Sequence, residues 1–218
     1  MILGLDSSSK TGAAALMCDG EMIARAFCDK GLTHSQTFLP MIAEMLDSVN
    51  VKPTALTGVA VTVGPGSFTG LRIGLATAQA LAWPDLPCVG VSSLYAAAQG
   101  VVASNGLICA CMDARRGQVY NALFRAENGV LIRLCDDRAL PMEELFAEGL
   151  DNPMFIGDAA TMCAAAYDKP HRAVDMPYIQ GEAVCQAAWP YFQRGETVLC
   201  HALTPNYLRM SQAEREAM

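Results

Sequence analysis

A glycine-rich run between an apolar strand and an apolar helix constrains this chain more than any other feature. The run reads Gly64-Pro65-Gly66-Ser67-Phe68-Thr69-Gly70-Leu71-Arg72-Ile73-Gly74, and the alternating strand 59–63 precedes it. The glycines permit a sharp turn, and Thr69 is placed to cap a helix whose free amides would bind an anion. The spacing fits a close-packed strand-to-helix turn better, since the Walker lysine and the dinucleotide-binding spacing are both missing.

Composition places the chain among ordinary globular proteins, with 218 residues of which 52% are hydrophobic. That length suits one large domain or two small lobes. No stretch approaches the roughly 20 apolar residues of a membrane span, and no basic segment precedes the first apolar run. The nine cysteines are scattered, which favours buried, reduced thiols. We therefore expect a cytoplasmic protein with no membrane partner.

The charge balance limits a role with nucleic acids. Fifteen basic residues against 22 acidic ones give a formal net charge of −7. This is the wrong sign for a protein that grips a polyanion unaided, because non-specific affinity for nucleic acid comes from neutralising phosphates. Any role with a nucleic acid would have to be shared with another subunit.

Periodicity in the first half predicts the order βββαβαβα. Three strands are expected at 2–6, 13–17 and 21–27, with a hairpin signal at Asp19-Gly20. An amphipathic helix at about 37–49, a strand at 58–63, the helix after the glycine-rich run, a strand at 88–91 and a helix at about 92–102 follow.

The second half is expected to repeat that order. The predicted elements are strands at 107–112, 118–124, 130–134 and 153–156, and helices near 141–149, at 159–167 and at 181–193, the last disturbed by Pro190. Two such α/β lobes resemble the most compact form of the actin-like ATPase superfamily, which includes sugar kinases, Hsp70 and actin. We expect ribonuclease H-like lobes at 1–104 and 105–204, a cleft between them, and a tail or helix at 205–218 returning to the first lobe.

Acidic residues end the first strand of each predicted lobe. Asp6 precedes a hydroxyl-rich turn, and Asp113 occupies the equivalent position in the second half. Such residues hold metal and nucleotide phosphates in active members of the superfamily, yet aspartate and serine also satisfy turn amides in any fold. Both interpretations remain open for a vestigial nucleotide cleft. Its predicted residues are Asp6, Ser7, Ser8, Lys10, Asp113, Gly157 and Asp158.

The glycine-rich run, continued by Leu75-Ala76-Thr77-Ala78, resembles the TsaB family, formerly YeaZ, of bacterial tRNA threonylcarbamoyladenosine biosynthesis subunits. Asp6-Ser7-Ser8, the segment Met112-Asp113-Ala114-Arg115-Arg116-Gly117-Gln118-Val119-Tyr120 and the segment Pro205-Asn206-Tyr207-Leu208-Arg209 also fall where that family has similar motifs. The resemblance spans nearly the whole chain. It implies a non-catalytic paralogue of TsaD, the enzyme that transfers a threonylcarbamoyl group to the adenosine beside the tRNA anticodon.

The resemblance also implies partners and cofactors. We expect a heterodimer with a TsaD-like transferase, a TsaE-like ATPase in the assembly, and tRNA bound through the complex. No cofactor is expected to be required by this chain, with ATP or ADP bound in the assembled complex.

The metal site of TsaD is expected to be missing. That site uses a His-x-x-x-His pair on a helix after a Gly-Val strand, and the aligned positions here are Ser93 and Ala97. Neither side chain can replace an imidazole as a transition-metal ligand. His34, His171 and His201 are too far apart in the sequence to form a local pair, so no metal ligand and no catalytic residue is predicted.

Two helices carry a predicted partner interface. Small residues recur every fourth position from Gly70, and the first helix has an apolar surface wider than one sheet contact ordinarily uses. In the TsaB family these two helices dock on TsaD, and the same surface would serve a homodimer when the partner is absent. Packing inside the lobe is the competing explanation. The predicted interface residues are Phe38, Leu39, Ile42, Met45, Val49, Gly70, Leu71, Gly74, Leu75 and Ala78.

Two other functions are alternatives. An independent actin-like kinase or ATPase would use the cleft residues and the turn at 157–160. A metallopeptidase is disfavoured because the histidine pair and the His-Glu-x-x-His motif are both missing. A hydrolase elbow is also disfavoured, since Ser67 lies in Pro-Gly-Ser-Phe-Thr-Gly rather than Gly-x-Ser-x-Gly.

Overall fold

Two sheets alternate with three layers of helices in the computed structural model, which describes residues 1–31, 33–172 and 178–209. In chain order the strands are β1 (Ile2–Asp6), β2 (Gly12–Cys18), β3 (Glu21–Cys28), β4 (Gly58–Gly64), β5 (Pro87–Ser92), β6 (Gly106–Asp113), β7 (Gln118–Glu127), β8 (Val130–Arg133), β9 (Arg138–Pro141), β10 (Met154–Ile156) and β11 (Val198–Leu199). The helices are α1 (His34–Ser48), α2 (Phe68–Leu81), α3 (Ser93–Gln99), α4 (Met142–Ala147), α5 (Ala160–Ala166) and α6 (Gly181–Arg194).

The first sheet confirms the order predicted for the first half. Its spatial order is β11-β5-β4-β1-β2-β3, with β1, β4 and β5 parallel and the β1-β2-β3 meander antiparallel. Asp19 and Gly20 both have positive φ, at 49° and 89°, as the two central residues of a tight hairpin turn require. Parallel strands bring their carboxyl ends to one edge, so Asp6 and the glycine-rich run lie at the same end of this sheet.

Three apolar clusters hold the layers together. One lies between α1, α2 and the outer face of the first sheet and contains Phe38, Ile42, Leu3 and Leu75. A second joins both sheets through α3 and α6, and a third lies under α4 and α5 on the far face of the second sheet. Because the middle cluster is continuous, the two lobes share one core, and β1 is buried on both faces.

The second sheet departs from the predicted order in one place. Its order is β10-β6-β7-β8, and β9 adds a pairing to β7 that the sequence analysis did not predict. A parallel bridge joins Met154 to Arg172. Residues 173–177 lie outside the described ranges.

The predicted second lobe, 105–204, contains elements that contact the first sheet. α6 packs against β1 and β2 of the first sheet as well as against α3, and β11 extends the first sheet beside β5. The chain thus returns to the first sheet at residue 181, before the predicted tail at 205–218. Residues 205–209 do contact the first lobe, whereas 210–218 lie outside the described residues.

Pro190 does not interrupt the last helix, which runs from Gly181 to Arg194. Proline removes the hydrogen bond to the carbonyl four residues earlier. Gln186 and Pro190 are both exposed, so water can reach the carbonyl that loses its partner.

Within the described residues, none of the helices combines the length and apolar content that crossing a membrane requires.

The rate at which the cysteine thiols react with a labelling reagent tests how deeply the cysteines are buried. Of the nine cysteines, only Cys18, Cys28 and Cys135 are partly exposed, and burial raises the pKa of Cys185 to about 12. Thiolates, not thiols, react with disulfide reagents. We expect a native Ellman titration at about pH 8 to label at most three cysteines rapidly and a titration in denaturant to label all nine. Rapid labelling of more than three in the native protein would contradict the packing described.

Candidate functional site

A cleft of about 870 Å³ lies where the carboxyl ends of β1 and β6 face each other. Four segments contribute most of its lining: the turn after β1, the start of α2, the turn after β6 and the C-terminal segment, here residues 205–209. The lining residues are Ser8, Ser9, Lys10, Gly66, Ser67, Phe68, Thr69, Met112, Asp113, Ala114, Arg115, Tyr120, Asp158, Tyr178, Asn206, Tyr207, Leu208 and Arg209.

The serine turn, residues 7–11, is organised by a buried carboxylate. Asp6 is fully buried, and its Oδ1 accepts hydrogen bonds from the Ser8 hydroxyl at 2.7 Å, the Ser8 amide at 3.2 Å and the Thr62 hydroxyl at 2.7 Å. Its Oδ2 is buried without a hydrogen-bond partner among the described residues. Burial raises the pKa of Asp6, and the bonds from Ser8 and Thr62 oppose that rise. Asp6 therefore holds the turn from inside the protein.

The start of α2 packs directly on the serine turn. The Ser67 amide donates to the Ser8 carbonyl at 2.7 Å, and the Ser7 hydroxyl donates to the Gly70 carbonyl at 2.9 Å. The helix cap is Ser67, whose hydroxyl accepts from the Gly70 amide at 3.2 Å, and not the predicted Thr69. A Cβ on Gly66 would meet the Ser8 carbonyl, and one on Gly70 the Ser7 carbonyl, both far inside van der Waals contact. Close packing thus explains these glycines, as the simpler interpretation predicted.

The turn after β6 has an unusual backbone. This segment, residues 114–117, is called the arginine turn below. Arg115, Arg116 and Gly117 all have positive φ, at 63°, 56° and 71°, and for a residue with a side chain that conformation costs roughly 1–2 kcal/mol. The Asp113 carboxylate accepts from the Arg115 amide at 2.6 Å. The Asp113 amide in turn donates to Asp158 at 2.8 Å, while burial, followed by the nearby Asp113 charge, raises the pKa of Asp158.

The C-terminal segment bridges the cleft. The Asn206 amide donates to the Val63 carbonyl at 2.6 Å, and the Tyr207 ring stacks on Phe68 with 4.5 Å between centroids. Arg72 donates to the Tyr207 hydroxyl at 3.1 Å. On the other side, the Arg209 guanidinium donates to the carbonyls of Ala114 and Arg115.

The residues predicted for a nucleotide cleft are only partly brought together. Ser8, Lys10, Asp113 and Asp158 line the cleft, whereas the other three do not. Asp6 is buried behind the serine turn, and Ser7 is buried against the start of α2. Gly157 lies against the backbone of β6, where a Cβ would collide with the Cys111 carbonyl. The assignment of Asp6, Ser7 and Gly157 to the cleft lining is therefore corrected, because each is used for internal packing.

Most of the predicted interface residues are covered by the chain itself. Phe38, Leu71, Leu75 and Gly74 exemplify this burial, since they pack on the first sheet or the serine turn. The eight buried residues are Phe38, Ile42, Met45, Gly70, Leu71, Gly74, Leu75 and Ala78. Leu39 is 55% exposed and Val49 is partly exposed. A role of the first two helices in docking remains a prediction, but it concerns their outer faces and not the small-residue stripe from Gly70.

The positions aligned with the TsaD histidines lie inside the core. Ser93 and Ala97 are one helical turn apart on α3, and both are buried. The Ser93 hydroxyl has no hydrogen-bond partner among the described residues. Across residues 1–31, 33–172 and 178–209, no three ligating side chains are grouped as a metal ion would need.

Sequence reasoning missed the contribution of three side chains. Tyr207 and Arg209 join the lobes, and His34 begins α1 with its Nε2 2.8 Å from the Ser9 carbonyl oxygen. The signal for the first two was present, since the segment 205–209 was already recognised as a motif. The contact of segment 205–209 with the other motifs depends on the path of the chain across the cleft. A local sequence pattern does not indicate that path.

Comparisons with known proteins agree with this architecture. The family model for TsaD, tRNA N6-adenosine threonylcarbamoyltransferase, matches residues 31–215. The tRNA threonylcarbamoyladenosine biosynthesis protein TsaB of Bacillus subtilis is 30% identical over 232 residues, covering 98% of this chain and 96% of that protein. TsaB of Escherichia coli is 40% identical over 134 residues, covering 59% and 57%. The solved structure of YeaZ from Pseudomonas aeruginosa has a TM-score of 0.80 at 27% identity, covering 95% and 99%, which confirms the predicted fold class.

Substitution of Gly70 tests the packing of α2 on the serine turn. Alanine inside a helix is ordinarily more stable than glycine by about 1 kcal/mol, but here the new methyl would meet the Ser7 carbonyl. We expect Gly70→Ala to lower the free energy of unfolding by about 1–3 kcal/mol, measured by urea unfolding. Thr69→Ala, at the exposed neighbouring position, serves as the control and should change it by less than about 0.5 kcal/mol. Stabilisation by Gly70→Ala would show that this contact is looser than described.

The pH dependence of stability tests the state of Asp6. Burial raises the pKa of Asp6 in the folded protein above its ordinary value of 3.8. The contribution of protonated Asp6 to the free energy of unfolding is therefore fully present below pH 3.8, and it is lost as the pH rises through the pKa of the folded protein. Asp6→Asn keeps an acceptor at the Oδ1 position and cannot ionise. We expect its unfolding free energy relative to wild type to increase from pH 4 to 7 in urea titrations. Asp85→Asn, at an exposed position, is the control, and parallel curves for Asp6→Asn and wild type would refute the assignment.

Proposed function

The chain belongs to the TsaB family, and on this premise we propose that it is the non-catalytic subunit that binds and activates a TsaD-like transferase. The complex forms N6-threonylcarbamoyladenosine next to the anticodon in tRNA. One observation carries the non-catalytic assignment: the helix that would hold the metal-binding histidine pair has Ser93 and Ala97 there, both packed in the core. The fold is retained, while the positions aligned with the histidine pair of TsaD carry residues that cannot replace imidazole as ligands of a transition metal.

The outer faces of the first two helices supply the proposed contact with the transferase. Most of their large apolar residues are turned inward, and several outward positions carry small or uncharged side chains. The docking face consists of Leu39 and Ala43 on α1, Ala76 and Ala80 on α2, and Trp83 just after α2, all exposed. Trp83 is 81% exposed and Leu39 is 55% exposed. Exposed alanines one turn apart let another helix approach closely, and an exposed tryptophan is a typical anchor of a protein interface.

Activation follows from selective binding. A subunit that binds only the active arrangement of an enzyme raises the population of that arrangement, up to the difference in its binding free energy for the two states. In this assembly a TsaE-like ATPase is the further component, and tRNA binds through the complex. The role places the chain in the cytoplasm, where tRNA is modified. Without its partner, the docking face would support a homodimer of this chain.

Any ATP or ADP belongs, in this proposal, to the assembled complex and not to this chain alone. Several groups that would hold a phosphate are already used internally, which supports this view. The Ser67 amide donates to Ser8, and the Ser7 hydroxyl donates to Gly70. Lys10 lies 3.8 Å from Asp29 and 5.1 Å from the centre of the Tyr178 ring.

Charge substitutions on the docking face test the proposal. We expect Ala76→Arg to weaken binding to the TsaD-like transferase of the same organism by at least about tenfold, or about 1.4 kcal/mol, because an added guanidinium would be buried at the interface. Binding is measured by calorimetry or interferometry with purified proteins. The same variant should lower tRNA threonylcarbamoylation in the reconstituted system of transferase, ATPase and precursor synthase.

Ala165→Arg is the matched control, since it changes an exposed alanine on α5, on the far side of the second sheet. Both variants should keep wild-type thermal unfolding, because neither site is packed inside the chain. Equal effects of the two substitutions would place docking elsewhere. Full tRNA modification by the other components without this chain would reject the scaffold role itself, and nucleotide hydrolysis by the isolated chain would favour the kinase or ATPase alternative.

A further inference from the structure

The arginine turn joins β6 to β7 with two arginines in the left-handed backbone conformation. Arg115 and Arg116 occupy left-handed positions next to Gly117, although glycine or asparagine adopts that conformation at lower cost. The strained turn is fixed from three sides. The Asp113 carboxylate accepts from the Arg115 amide, the Gln118 amide donates to the Arg115 carbonyl at 3.2 Å, and Arg209 donates to the same carbonyl. Strain that the surroundings hold in place in this way is typical of functional sites.

The side chains that this turn presents are unpaired. Both Arg115 and Arg116 are exposed, and neither guanidinium has a hydrogen-bond or ion-pair partner among the described residues. The two carboxylates that line the cleft each accept a backbone hydrogen bond, Asp113 from the Arg115 amide and Asp158 from the Asp113 amide. The turn therefore holds two cationic side chains toward solvent at the mouth of the cleft.

Other basic and aromatic side chains surround the same mouth. Lys10 and Arg209 line the cleft with Arg115, and Arg72 joins them through the Tyr207 hydroxyl. Five of the chain's 15 basic residues therefore lie at this one site: Lys10, Arg72, Arg115, Arg116 and Arg209. Tyr207 is 38% exposed while its ring stacks on Phe68, which leaves an aromatic surface beside the arginines.

We propose that the arginine turn binds backbone phosphates of the tRNA on which the complex acts, with Tyr207 beside it as a stacking surface for a base. This inference rests on the proposed function, because it names the substrate that reaches this cleft. Guanidinium groups bind phosphate through paired hydrogen bonds, and exposed aromatic rings next to cationic groups are the usual arrangement for unpaired nucleotides. An acidic protein surface would use the arginines but gains nothing specific from the exposed ring, so RNA is the occupant that fits both features.

The test measures tRNA binding by the complex of this chain with its transferase, using a fluorescently labelled, unmodified tRNA transcript and anisotropy across a range of salt concentrations. The main variant is Arg115→Ala with Arg116→Gly, in which glycine suits the left-handed backbone. Loss of two phosphate contacts should lower the slope of log affinity against log salt by about two and weaken binding about 10- to 100-fold at about 50 mM salt. Arg116→Lys should retain most of the affinity, since it keeps the charge.

The double variant Arg125→Ala with Arg194→Ala is the charge-matched control. Arg125 pairs with Leu107 near the start of β6, and Arg194 ends α6 near the start of β4, so both lie away from the cleft end of the sheets. Unchanged tRNA affinity of the arginine-turn variant, or an equal loss in the control, would overturn the inference. So would a loss confined to transferase binding, which would assign the turn to an acidic protein surface.

Transferase binding by each variant is measured in parallel, so that the two proposals fail separately. Unchanged tRNA affinity in a complex that assembles normally rejects the phosphate site and leaves the scaffold role standing. Failure of the wild-type chain to bind the transferase rejects the proposed function first, and the inference with it.

Discussion

Backbone-to-backbone packing between the start of α2 and the serine turn determines how the rest of this protein is arranged. The contact brings the Ser67 amide to the Ser8 carbonyl and leaves no room for a Cβ at Gly66 or Gly70. Because two polar backbones meet in the interior, their groups must be paired, and the bonds around Asp6 do this from below. The cleft, the position of α2 and the reach of the C-terminal segment all follow from this one contact.

The same contact explains why a motif that looks ready for phosphate is used for structure. A glycine-rich turn before a helix binds an anion only if its amides point into open space. Here the helix start is pressed against the neighbouring turn, and Gly70 donates to Ser67 instead. Asp6 is likewise turned inward, where it holds Ser8 and Thr62. The close approach of the two turns therefore leaves these groups to serve packing.

The sequence was a reliable guide wherever a local pattern decided the outcome. Alternating apolar residues and the Asp19-Gly20 turn correctly predicted the strands of the first sheet. The stripe of small residues from Gly70 correctly predicted which face of α2 is buried, but it did not indicate that the chain itself covers that face. Packing partners at long sequence separation could not be predicted. Gly70 reads equally well as a helix-docking or a sheet-packing residue, and nothing local to residues 181–209 indicates that α6 lies between the sheets or that Arg209 reaches the arginine turn.

The net charge of the whole chain and the local distribution of charge lead to different expectations about nucleic-acid binding. A formal net charge of −7 disfavours nucleic-acid binding at a given site only if charges over the whole surface contribute to the electrostatic potential there. At physiological salt the screening length is about 8 Å, shorter than the distance between the two ends of β6. A phosphate at the cleft mouth therefore experiences the nearby arginines much more strongly than acidic groups on the opposite face. The hydrogen bonds that fix the turn at Arg115 hold these cations at the cleft mouth, so that, in this proposal, an acidic subunit presents a basic site where its lobes meet.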